Sequence, residues 1–133
     1  MQHTREIIEQ YYKAFNERKV DALLWLLSDD VIHEINQGKQ EIGKKLFEKF
    51  MERMNGCYQE TASDLVIFTS DSSDHAAAEF TITGKYLSTD KGLPEAKGQT
   101  YRLKCGAFFA LKKGKISRVT NYYNMQAWLA QVQ

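Results

Sequence analysis

The last third of the chain constrains its fold most. From Gly98 to Leu111, and again through Lys115-Ile-Ser-Arg-Val-Thr-Asn-Tyr-Tyr-Asn124, the pattern reads as two long strands. Between them sits Lys112-Lys113-Gly114-Lys115, a glycine-bearing tight turn that makes the pair a hairpin. Successive side chains of a strand point to opposite faces, so Val119, Asn121 and Tyr123 share one face. That face offers an amide and a phenol where a plain core strand would offer aliphatic groups. A surface both apolar and hydrogen-bonding suits a small molecule.

Upstream the order of elements is helix, helix, strand, helix, strands. Residues 4–18 carry Ile7, Tyr11 and Phe15 at helical spacing, with Thr4 as the expected N-cap. A short helix over Asp21–Leu27 is apolar nearly all round, and Ser28-Asp29-Asp30 is expected to stop it. Val31–Ile35 reads as a short strand, and Asn36-Gln37-Gly38 as a turn. A third helix over Ile42–Asn55 carries Leu46, Phe47, Phe50, Met51 and Met54 on one stripe, with Gly56 as terminator. Strands are expected at 58–69 and 75–87, where Ala76, Ala78, Phe80 and Ile82 share a face opposite Glu79, Thr81 and Thr83. Thr89–Lys97, with the only proline, reads as an exposed flap, and Gln126–Val132 as a closing helix. No linker divides residues 1–133, so one domain is expected. Segregated helices and long consecutive strands give an α+β layout whose sheet must twist and bulge around the helices.

Composition excludes several functions. Eighteen basic and 17 acidic side chains leave a formal charge of +1, without the one-signed patch that nucleic acid requires. No stretch approaches the ~20 apolar residues of a membrane helix. Cys57 and Cys105 have no metal-ligand spacing, and His3, His33 and His75 share none with each other or with carboxylates. No metal or cofactor is expected. Free thiols and the lack of a secretory segment point to the cytoplasm.

Several segments carry a family resemblance: Tyr11-Tyr12, Ser28-Asp-Asp-Val31, His33-Glu-Ile-Asn-Gln-Gly38, Ala76-Ala-Ala-Glu-Phe80, Gly106-Ala-Phe-Phe109 and Val119-Thr-Asn-Tyr-Tyr-Asn124. In that order they resemble the nuclear transport factor 2-like superfamily, in its SnoaL-like, ketosteroid-isomerase-related branch. The resemblance implies a cone: a strongly curved, mainly antiparallel sheet packed on about three helices, with an apolar pocket inside. It also implies a homodimer through the outer sheet face. Tyr11 falls where the isomerases place their oxyanion-hole tyrosine. Their general-base aspartate falls on Ile35, and their second oxyanion donor falls near Gly106. The aspartate of the SnoaL-like cyclases falls on Asn121. The donor is kept and the family carboxylates are replaced.

Ketosteroid isomerase opposes an aspartate base to hydrogen-bond donors at the carbonyl. Here His33, in phase with Ile35, is the candidate base, and Tyr11 the candidate donor. Asn121, Tyr123, Val119, Ile35, Phe50, Met54, Phe108 and Trp25 are the expected ligand-binding residues. Glu34 should point outside the cone, Glu79 lies on the second face of its strand, and Cys105 reads as an inert buried thiol. Two functions stand. One is an isomerase or cyclase moving a proton beside the carbonyl of a small apolar molecule. The other is a ligand-binding or sensing module without turnover, which the replaced carboxylates favour.

Overall fold

The computed structural model describes residues 3–133. Its elements are α1 (Thr4–Glu17), α2 (Val20–Trp25), β1 (Leu27–Ile35), β2 (Glu41–Ile42), α3 (Lys44–Cys57), β3 (Tyr58–Thr69), β4 (His75–Tyr86), β5 (Thr100–Lys112), β6 (Lys115–Tyr122) and α4 (Met125–Val132). The six strands form one open sheet in the order β2-β1-β6-β5-β4-β3. Every pairing is antiparallel except β1 with β6, which is parallel. This is the α+β cone, with four helices where about three were expected. None of the described helices is long and apolar enough to cross a membrane.

The hairpin forms as its sequence dictates. Lys113 and Gly114 both take positive φ, 53° and 76°, the geometry that lets a two-residue turn follow the twist of its strands. Bulges interrupt β3 between Ser63 and Val66, β6 between Ile116 and Arg118, and β1 between Leu27 and Ile32. Each bends its strand and adds twist. The inner face of the bent sheet carries Ala76, Ala78, Phe80 and Ile82 of β4, with Leu103, Ala107 and Phe109 of β5, all buried. Helix α1 lays Ile7, Ile8, Tyr11 and Tyr12 against it. The Asn16 side chain fixes the end of α1 to β3, donating to the Ala62 carbonyl at 3.0 Å and accepting from the Ala62 amide at 2.8 Å.

Several local expectations change. Thr4 is the first helical residue rather than the cap; its hydroxyl donates to the Ser73 carbonyl instead. Ser28-Asp29-Asp30 is not the stop of the second helix, which already ends at Trp25; the three residues lie within β1, in the bulge between Leu27 and Ile32. Gly56 lies inside α3, which ends when Tyr58 turns to extended backbone. Trp25 is 72 % exposed, because the six-residue α2 buries only Leu23 and Leu24. The Lys115 ammonium covers the Trp25 ring at 3.8 Å and donates to the Trp25 carbonyl.

The segment after β4 is no loose flap. The Tyr86 hydroxyl donates to the Pro94 carbonyl and accepts from the Asp90 amide, and Leu93 and Ala96 pack on the core. These bonds carry Asp90 inward, where it is 5 % exposed.

Phe109 is fully buried and meets the rings of Tyr11 and Tyr12 edge-on, with centroids at 5.4 and 6.1 Å. Phe109→Ala should therefore cost about 3–5 kcal/mol, the usual range for emptying a buried Phe site. A urea unfolding midpoint equal to the parent's would contradict this seat for α1.

Candidate active site

Between the sheet, α1 and α3 lies a cavity of about 350 Å³. Helix α1 contributes Tyr11, Tyr12 and Phe15, and β1 contributes His33 and Ile35. Helix α3 adds Phe47, Phe50, Arg53 and Met54. The sheet floor presents Tyr58, Glu60, Phe80, Ile82, Leu103 and Cys105, and the end of β6 presents Asn121 and Tyr123. Met51, Asp90, Leu93, Tyr122, Met125 and Trp128 complete the wall.

Tyr11 is 6 % exposed, and burial alone raises its phenol, with no hydrogen bond or charge contributing. It stays protonated at neutral pH. The Tyr12 hydroxyl is buried and unpartnered among the described residues. His33 lies between two rings, 4.4 Å from the Phe47 centroid and 4.6 Å from that of Phe50. Its Nε2 is buried without a hydrogen-bond partner among the described residues. Burial pushes the imidazole down from 6.5 to about 4, because a cation there would lose its hydration. His33 is therefore a neutral ring at pH 7.

Asn121 is held by the sheet at both sides, opposite Ile35 of β1 and Ala107 of β5. Its carbonyl accepts from the Asn36 amide at 2.9 Å, and the Asn36 side chain accepts from the Tyr123 amide at 2.8 Å. These bonds set the direction of the chain leaving β6. Burial, then the nearby Glu60 and Asp90 charges, raise the Tyr123 phenol. Its hydroxyl contacts Met125 Sδ at 3.5 Å.

Three expected lining residues lie elsewhere. Trp25 faces solvent on α2. Phe108 is 48 % exposed on the outer sheet face, because the inward positions of β5 fall to Ala107 and Phe109 on either side of it; its ring meets Tyr122 at 5.8 Å. Val119 is fully buried within the core and has no surface on the cavity. Glu34 points outside, its carboxylate lowered by bonds from Gln40 and Thr120. Glu79 is exposed.

The sequence reading missed a polar cluster. Asp90 accepts from the Tyr58 hydroxyl at 2.8 Å and from Arg53 Nη1 at 3.0 Å. Glu60 accepts from the Tyr101 hydroxyl. Burial raises the Glu60 carboxyl above the usual glutamate value, against the opposing pull of Tyr101 and Arg18. One signal could have found Glu60: it alternates in phase with Tyr58 and Ala62, both buried. Asp90 had none, since only the docked loop brings it in. Burial raises the Cys105 thiol to about 11, so it is no nucleophile at neutral pH. Among the described residues no three His, Cys, Asp or Glu side chains gather as metal ligands.

The family model of the SnoaL-like domain matches residues 8–119. The chain belongs to the SnoaL-like family. A solved structure from Pseudomonas putida KT2440, provisionally named a polyketide cyclase, is 51 % identical with a TM-score of 0.98, covering 100 % of both chains. Another so named, from Xanthomonas campestris pv. campestris, is 47 % identical with a TM-score of 0.94, over 98 % of this chain and 96 % of that one. A nuclear transport factor 2-like protein of Burkholderia xenovorans LB400 shares the fold at 12 % identity and a TM-score of 0.78, over 98 % of this chain and 95 % of its own. Among curated proteins nothing matches.

The buried SnoaL-like imidazole has a consequence for stability. Between its ordinary 6.5 and the folded value of about 4, the unfolded chain binds a proton that folded His33 refuses. Stability from this residue is present above that window and is lost as pH falls through it, by up to about 3 kcal/mol. His33→Phe should remove this part of the acid sensitivity, measured as the difference between urea unfolding at pH 7 and pH 4.5. An identical difference in parent and variant would place the ring in a hydrated or paired setting.

Proposed function

We propose that the cavity takes a small apolar molecule bearing a carbonyl group, and that the protein moves a proton on the carbon beside it, as an isomerase or cyclase does. Tyr11 carries this reading. It presents a phenol, unperturbed by any hydrogen bond or charge, to a cavity with largely apolar walls. A phenol at an apolar wall has few competing acceptors, and the carbonyl oxygen of a guest is an acceptor that it can serve. As negative charge grows on that oxygen, a fixed donor in a water-poor site binds it more strongly. Asn121 adds an amide that can orient the guest but cannot exchange a proton at neutral pH. His33 also lines the cavity; with a pKa of about 4 it is a weak proton acceptor. The volume of about 350 Å³ lies at the small end of the range for ligand sites, which favours a compact guest.

The expected dimer belongs to this reading. On the outer face, Phe68 of β3, Ala77 of β4, Phe108 of β5 and Thr120 of β6 lie in one row across the strands. Phe68 and Phe108 are exposed, and so are nearby Val66 and Tyr122. An apolar row on an open sheet is suited to pairing with a second copy.

Tyr11→Phe removes only a hydroxyl and should leave folding intact. It should slow deuterium exchange beside the carbonyl of bound cyclic ketones, from cyclohexanone to 1-tetralone, by about 10²–10³-fold in NMR assays. Binding of these ketones without exchange in the parent would leave a binding module, and neither binding nor exchange would end the proposal. For the outer face, Phe108→Glu should convert a dimer into a monomer by light scattering. A parent mass of one chain at micromolar concentration would refute the pairing.

A further inference from the structure

Glu60 occupies an inner-face position of β3 and lines the cavity. The register sets it opposite Gly84 of β4, and sets Gly84 opposite Tyr101 of β5. The glycine is what lets the outer two meet. A Cβ at Gly84 would fall 2.3 Å from Tyr101 Cζ and 2.5 Å from its hydroxyl oxygen. The phenol therefore lies across β4 in the space the missing side chain leaves, and donates to Glu60 Oε2. Gly84 has no positive φ, so its backbone does not require glycine. Trp128 and Tyr58 brace the Tyr101 ring edge-on, with centroids at 6.0 and 6.5 Å.

The groups facing this carboxyl are few. Tyr101 and Cys105 approach from β5, Arg18 from the end of α1, and Tyr123 from beyond β6. On β3 itself, Tyr58 donates to Asp90, and Asp90 is paired with Arg53. A carboxyl in an apolar cavity, aimed by one phenol through a gap cut in the intervening strand, is a costly arrangement for packing alone.

We propose that Glu60 is the catalytic carboxyl that takes and returns the proton, and that Tyr101, lying across Gly84, is its positioning residue. The inference rests on the carbonyl chemistry proposed above. The Glu60 carboxylate removes a proton from the carbon beside the carbonyl. The C–H electron pair becomes the enolate double bond, and the carbonyl π pair moves onto the oxygen that Tyr11 holds. Reprotonation from the Glu60 carboxyl, at the same or a conjugated carbon, restores the carboxylate, so no co-reactant is needed. This chain then carries on β3 the acidic group missing at Ile35 and Asn121. Burial lifts its pKa toward the working range, where proton exchange is most effective, whereas it drives His33 away from that range.

Deuterium exchange of the same ketone panel tests the assignment. Glu60→Gln should slow exchange about 10²–10⁴-fold with ketone affinity retained. Tyr101→Phe and Gly84→Ala each keep Glu60 but remove the bond that lowers its pKa. Both should move the acid limb of the pH–rate profile to higher pH, a shift that a merely structural role would not produce. Circular dichroism confirms the fold of each variant, and if Glu60→Gln fails to fold, the two profiles decide. Exchange surviving intact in Glu60→Gln, or an acid limb unmoved in both supporting variants, overturns Glu60 while leaving the carbonyl function standing. A parent protein that exchanges none of the panel removes that function and this inference with it.

Discussion

Edge-on packing of Tyr11 and Tyr12 against Phe109 is the contact on which the rest of the structure depends. The two tyrosines are adjacent on α1 and themselves perpendicular, with centroids at 5.1 Å, and both rings also meet Phe109. Such pairs add about 0.5–1.5 kcal/mol beyond the area they bury, and they fix an angle as well as a distance. Helix α1 reaches β5 through Phe109 and lies otherwise along β3 and β4, while α3 packs on β1, β2 and β3. The bulged sheet bends too strongly for two helices to fill its concavity. What they leave open is the cavity, and the same Tyr11 ring that anchors the helix forms part of its wall.

Loss of hydration governs the chemistry of that space. Burial is the leading cause of the shifts at Tyr11, His33 and Glu60, and each moves toward its neutral form. A site in which burial disfavours the charged form of a phenol, an imidazole and a carboxyl is poorly suited to holding an ion. It is well suited to passing a proton to and from a neutral guest. Asp90 is paired with Arg53 at 3.0 Å, and the pair ties the docked loop to α3. The polar groups of the cavity thus divide into one that closes the wall and others available to a ligand.

Much of this was legible in the residues. The C-terminal hairpin, the amphipathic stripes of α1 and α3, and the inward set Ala76, Ala78, Phe80 and Ile82 follow from periodicity, which reports which side chains share a face. The family resemblance turned Tyr11, Ile35 and Asn121 toward one cavity, and alternation added His33 and Tyr123 to them. It failed at Phe108, where a chemically plausible aromatic lies one residue out of phase, and at Trp25, where a short apolar helix has one side left over. It also passed over Glu60, since a lone carboxylate in a strand reads as solvated unless its neighbours are known to be buried.

The sequence by itself determined the elements, their facing and the family, because these depend on local patterns and on residues a few positions apart. Tertiary structure alone decided which inward groups touch. Glu60, Gly84 and Tyr101 are far apart in the chain and become a line only through the register of three strands. Asp90 reaches the wall through contacts distant in sequence, Tyr86 binding the loop at two points and Tyr58 and Arg53 holding the carboxylate. Alternation tells a residue which way to point; it carries no information about the partner that strand pairing sets beside it.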